Sequence, residues 1–129
     1  MSFARALPFI VLAVVSITAP PATAAPSFNC KKATGLIEKQ ICGNPEFEPI
    51  DRDIASLYTR SLAMLAKTDA DALRAEQRAW VKERDECEDM IHGDPPIMAD
   101  VLMCMRKTMG ERKARLQAIL ERKQLFPKD

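Results

Sequence analysis

Four cysteines constrain this chain more than any other feature: Cys30, Cys42, Cys87 and Cys104. In a small exported domain an even number of cysteines reads as a set of disulfides, and four allow three connectivities. Sequence proximity favours Cys30–Cys42 and Cys87–Cys104. Each would close a short loop and add about 3 kcal/mol by restricting the unfolded chain. Metal binding is the competing chemistry, with Cys87, His92 and Cys104 as three ligands. No cysteine pair has the tight C-x₂₋₄-C spacing of zinc sites, so no metal is expected. No C-x-x-C-H occurs either, so haem attachment is not indicated and no cofactor is expected.

The disulfide reading requires an oxidising compartment, and the first residues point to one. Met1 to Ala6 carries a single charge, Arg5, and an apolar run follows from Leu7 to Ile17. Pro20-Pro21 and the small residues Ala22-Thr23-Ala24-Ala25 come next. A basic start, a short apolar middle and an A-x-A end make a secretory signal peptide. Cleavage after Ala24 fits best, because a cut after Ala25 would put Pro26 next to it. The apolar run is short of the roughly 20 residues that a spanning helix needs, so no stable membrane anchor is expected after cleavage. Cys30 follows Ser27-Phe28-Asn29 rather than a Leu-led lipid-attachment motif. The expected divisions are a signal peptide, residues 1–24, and one helical domain, residues 25–129, in the periplasm or secreted.

The mature part is 105 residues, enough for one modest core. The whole chain has 19 Lys+Arg and 18 Asp+Glu, and Arg5 leaves with the signal. A balanced chain lacks the basic surplus that phosphate binding demands, so nucleic acid is not an expected partner.

Ala, Leu, Glu, Lys, Arg, Met and Gln dominate, all good helix formers, and no alternating β-branched run suggests a strand. Periodicity predicts about four helices. The first runs from about Leu36 to Cys42, capped by Thr34 or Gly35 with Glu38 in its first turn. Gly43-Asn44-Pro45 ends it, and Asn44-Pro45 looks like the cap and first position of another turn. Pro49 is expected to interrupt or kink whatever starts there. The second helix spans about Ile50 to Ala66, with Ile50, Ile54, Leu57, Ser61 and Leu65 on one face. Thr68-Asp69-Ala70-Asp71 reads as a linker. A third helix covers about Ala72 to Cys87, with Leu73, Gln77, Trp80, Arg84 and Cys87 along one side. Glu88 to Pro96 reads as a loop. The fourth helix runs from Met98 to about Gln124 with the stripe Val101, Met105, Met109, Arg112, Leu116 and Ile119–Leu120. Its methionines read as core filling, and Gly110 inside it costs about 1 kcal/mol relative to Ala.

The fold class is therefore all-α, a small disulfide-stapled helical bundle. Phe28-Asn29-Cys30, Glu38-Lys39-Gln40-Ile41-Cys42, Asn44-Pro45 and Ile50-Asp51 resemble the opening of the lysozyme inhibitor LprI-like N-terminal domain family. Tyr58, Gln77-Arg78-Ala79-Trp80, Arg84-Asp85-Glu86-Cys87, Cys104, Arg112 and Leu116 continue the resemblance, which covers nearly all of residues 28–120. The family's members look like exported bacterial helical domains with paired cysteines. The function this implies is binding and inhibiting lysozyme.

Catalytic chemistry has little to work with. His92, the one histidine, sits beside Gly93 and Asp94 and reads as a solvated residue. Disulfides would consume every thiol nucleophile. Adjacent carboxylates such as Asp51/Asp53 are ordinary on solvated helix faces, whereas a glycosidase needs two set across a cleft. No enzyme is expected. Trp80 reads as a core anchor, and Asp51 and Arg84 as members of structural ion pairs or cap contacts.

Charge is unevenly placed. Asp85 to Asp94 contains five acids and no Lys or Arg, while Arg106 to Lys123 is strongly basic. The structural reading is a pair of solvated faces. The functional reading is that Glu86, Glu88, Asp89, His92 and Asp94 meet a basic partner, as a cationic lysozyme would be. The expected function is a non-enzymatic envelope binding module, with lysozyme or another envelope protein as partner. The alternative is an envelope stress or structural interaction protein without lysozyme binding.

Overall fold

The computed structural model describes residues 27–92 and 97–125. The expected signal peptide, Asp94 and Pro127 lie outside them. The described residues form four α-helices: α1 (Leu36–Gly43), α2 (Phe47–Met64), α3 (Lys67–Asp85) and α4 (Met98–Leu125). A short 3₁₀ turn, Cys30–Lys32, precedes α1, and a longer 3₁₀ segment, Glu86–His92, joins α3 towards α4. No strand occurs among the described residues.

Local sequence explains the helix starts. Glu38 reaches back from the first turn of α1, and its carboxylate accepts the backbone N–H groups of Thr34 (2.9 Å) and Gly35 (3.4 Å). That satisfies donors with no partner inside the helix. Asn44 caps the next turn as its sequence suggests: its side-chain oxygen accepts the Glu46 N–H at 3.0 Å.

Two expectations fail here for one reason. Pro49 neither breaks nor kinks a helix, because it is the third residue of α2. N–H groups in a first turn have no intrahelical acceptor, so the missing donor costs nothing there. The helix therefore starts three residues earlier than Ile50, and Phe47 becomes a core residue with 0% exposure. Likewise Thr68-Asp69-Ala70-Asp71 is not a linker but the first turns of α3. Asp71 joins Lys67 (2.7 Å) and Arg74 (2.8 Å) across helical spacings, and Ala70 is buried.

Both disulfides form in the pairing that proximity favours, Cys30–Cys42 and Cys87–Cys104. The metal alternative for Cys87, His92 and Cys104 is thereby displaced, and no free cysteine remains.

Ion pairs show how the helices run. Arg106 pairs with Glu46, and Lys113 with Asp53 at 2.6 Å, so both helices advance together and α2 lies parallel to α4. Along α3 the order reverses. Cys87 meets Cys104, the Trp80 indole N–H donates to the Thr108 carbonyl at 3.2 Å, and Gln77 accepts from Arg112 Nε at 2.8 Å. Thus α3 returns antiparallel to α4. The core lies between them: Ile37, Ile41, Phe47, Ile54, Leu73, Trp80, Val101, Met105, Met109 and Leu116. Every apolar member of the α4 stripe is buried except Ile119, which is partly so.

Trp80 is a core anchor, 7% exposed, with the guanidinium carbons of Arg84 and Arg112 over its ring at 5.4 and 5.9 Å from the centroid. Arg84 donates through Nε (2.9 Å) and Nη2 (2.7 Å) to Asp85. Buried Asp51 accepts the Ser27 N–H at 2.7 Å and so ties the N-terminal segment onto α2.

Candidate functional site

A 3₁₀ helix has three residues per turn, so positions three apart eclipse one another. In Glu86–His92 this rule sets Glu86, Asp89 and His92 on one side, and all three are exposed. Cys87 and Ile91 turn inward, the first fully buried in its disulfide and the second packed on the core. Glu88 shares the side of Ile91 and is half-buried. Glu88 to His92 is thus ordered helical structure rather than the expected loop.

Beside this segment lies an open hollow of about 1280 Å³. Three elements build it. The end of α3 supplies Glu83, the 3₁₀ segment supplies Glu86, Asp89 and Met90, and the first turns of α4 supply Asp100 and Met103. The Cys87–Cys104 disulfide lines it too and bonds two of these elements together. On α4, Asp100, Met103, Cys104 and Lys107 recur at helical spacing, which turns them to a common side. Trp80 and Thr108 brace the same corner from within: Thr108 Oγ1 is 3.9 Å from the Cys87 sulfur.

The electrostatics are one-sided. Among the described residues no ion pair engages Glu83, Glu86, Asp89 or Asp100. Two cations also line the hollow, but their charges are met from outside it. Arg106 pairs with Glu46, whose hydrogen bond holds the Glu46 carboxyl below its ordinary range and pushes Arg106 up. Lys107 pairs with Glu111 at 3.0 Å. What remains is a negative rim over an apolar floor.

Of the expected contact residues, the hollow brings together Glu86 and Asp89. Glu88 and His92 are not in its lining, and Asp94 lies outside the described residues. Sequence reasoning missed Glu83, Asp100, Met90 and Met103. The helical recurrence of Asp100, Met103 and Lys107 was the available signal, but only the Cys87–Cys104 pairing says which side of α4 faces the acidic segment.

A second, smaller hollow of about 410 Å³ lies at the other end of α4, with Leu65, Leu73 and Ile119 below Arg115 and Arg122. Glu76 sits at its edge. Burial pushes its carboxyl up, but hydrogen bonds from Arg115 and Arg112 outweigh this and hold it below the ordinary value. No group of three His, Cys, Asp or Glu that could hold a metal occurs among the described residues. No described helix is long and apolar enough to cross a membrane. An open hollow with exposed carboxylates and thioethers is suited to gripping another molecule's surface.

Comparison with known proteins agrees with the resemblance read from the residues. A curated, uncharacterized protein of Rhizobium meliloti (strain 1021) is 26% identical over 122 residues, which covers 81% of this chain and 87% of its own. No solved structure matches the chain. The model of the family described as lysozyme inhibitor LprI matches residues 30–116, from the first cysteine to the buried Leu116. The chain belongs to the lysozyme inhibitor LprI family.

Proposed function

We propose that this chain is an exported, non-enzymatic protein-binding module that binds lysozyme and inhibits it by covering its sugar-binding cleft. The observation that carries this reading is the family match over residues 30–116, which implies a lysozyme inhibitor-like function. Two disulfides suit the oxidising compartment in which such inhibitors work. In this reading residues 1–24 are a removed signal and residues 25–129 the working module.

The acidic region Glu86, Glu88, Asp89, His92 and Asp94 would supply the attraction. Lysozymes are commonly cationic, and complementary charge speeds encounter and selects partners. Occlusion needs no chemistry on the substrate, only a rigid surface.

The test is direct. Purified, oxidised residues 25–129 are added to lysozyme acting on cell-wall substrate, and turbidity is followed. Lysis is expected to fall as the protein reaches molar excess. Unchanged lysis at that excess would remove the inhibitor reading.

A further inference from the structure

We propose that the hollow over the Cys87–Cys104 disulfide is the docking surface, and that it takes a lysine- or arginine-bearing loop of a cationic protein. Its methionines would hold the aliphatic stems and its acids the charged heads. The proposal rests on the lysozyme-inhibitor reading for its partner class, but the surface is argued from the structure alone.

Apolar exposure is concentrated there. Six large hydrophobic side chains are exposed among the described residues: Met64, Met90, Ile97, Met98, Met103 and Leu125. Four of the six lie between residues 90 and 103, and Met103 at 60% and Met90 at 47% line the hollow itself. Clustered exposed apolar groups mark contact surfaces, and flexible, polarizable methionine suits a shape supplied by a partner.

Charge then selects the occupant. Glu83, Glu86, Asp89 and Asp100 surround the methionines without an ion pair, while Glu46 and Glu111 neutralise Arg106 and Lys107. Lysine and arginine lay their methylene stems along apolar surface and keep their heads in polar surroundings, the pattern this hollow offers. A second copy of the chain is the weaker occupant. The chain is nearly neutral, so no long-range attraction draws copies together, and Arg115 on its basic end is already held by Glu76.

The surface is also built before any partner arrives. The Cys87–Cys104 bond joins two of its three walls, and the Trp80 to Thr108 hydrogen bond fixes α3 against α4. A preformed surface pays little ordering entropy on binding.

The test is a methyl-NMR titration of the oxidised protein, labelled at the methionine ε-methyls. Two probes are used: a cationic animal lysozyme and a short peptide rich in Lys and Arg. Met90 and Met103 are expected to shift with both, while buried Met105 and Met109 stay in place. M90Q/M103Q is expected to weaken lysozyme binding about tenfold, as loss of a central apolar anchor does. E83Q/E86Q/D89N/D100N is expected to weaken it further and to flatten its salt dependence. These positions are solvent-exposed or half-buried, so circular dichroism should show both variants folded.

Response to the peptide with no lysozyme binding would keep the surface and remove the lysozyme reading. Lysozyme binding that leaves Met90 and Met103 unmoved would keep that reading and overturn the surface. Binding of neither probe would overturn both. Concentration-dependent shifts in the protein alone would assign the hollow to a second copy and overturn the proposal.

Discussion

The two disulfides close loops of similar size, 12 and 17 residues, yet they hold different things. Loop-closure entropy assigns each about 3 kcal/mol and so hardly separates them. Burial does. Cys30 is exposed and Cys42 half-buried, and their bond fastens a short 3₁₀ turn to α1. Cys87 is 1% exposed and belongs to the core, and its bond joins the 3₁₀ segment after α3 to α4. The first bond is a tether on the N-terminal side of α1. The second sets the geometry of the hollow. A crosslink's effect on function thus depends on what its two sulfurs carry with them, even when its effect on the unfolded chain is ordinary.

The largest expected effect tests that contrast. Replacing both cysteines of the pair that reaches the core through Cys87, C87A/C104A, should cost about 4 kcal/mol, and C30A/C42A about 2 kcal/mol, within the range for native disulfides. Urea unfolding midpoints measure both, and equal losses would erase the distinction. Next is Trp80→Phe, which keeps most of the apolar contact but removes the hydrogen bond to Thr108. It should cost about 1 to 2 kcal/mol and loosen the same corner, as hydrogen exchange of residues 86–92 would record. Gly110→Ala should stabilise by up to about 1 kcal/mol, because an added methyl group meets nothing within 4 Å and α4 gains a better helix former. The gain lies in α4 and touches neither disulfide, so it should leave their difference intact.

A smaller effect concerns acid. Glu76 has a folded value held below its ordinary 4.5, by Arg115 and Arg112 against the upward push of burial. A depressed carboxyl contributes stability that is fully present above about pH 4.5 and is lost as pH falls through the folded value. Glu76→Gln should therefore flatten the acid side of the stability curve and change little at neutral pH beyond a constant offset. Smallest of all is Met103→Gln, an exposed change expected to alter stability by less than about 0.5 kcal/mol. A larger loss would make Met103 a core residue rather than a contact residue.

Where periodicity was long, the sequence was readable. The α4 stripe Val101, Met105, Met109, Arg112 and Leu116 stands out over many turns, and all five are buried. Both disulfides followed from proximity. What failed was short and local. Pro49 looked like a helix breaker, yet in a first turn it is harmless, and Phe47 was missed with it. Asp69 and Asp71 looked like linker residues, yet first-turn acids complement a helix N-terminus and Asp71 joins two cations. Glu88 to His92 looked like a loop because Gly93 and Pro95-Pro96 follow, while its order comes from a sulfur bond to α4. The acidic bias of the candidate site was visible in composition. Its methionines, and the roles of Glu83 and Asp100, were not, since they meet only when three elements are assembled.

Titration calorimetry with lysozyme separates the two staples most directly. The intact oxidised protein and the C30A/C42A variant should bind within about twofold of each other, whereas C87A/C104A should lose at least about tenfold, or about 1.4 kcal/mol. The same loss from either pair would contradict the assignment of the Cys87–Cys104 bond to the partner-facing surface, and no binding by the intact protein would remove lysozyme as the partner.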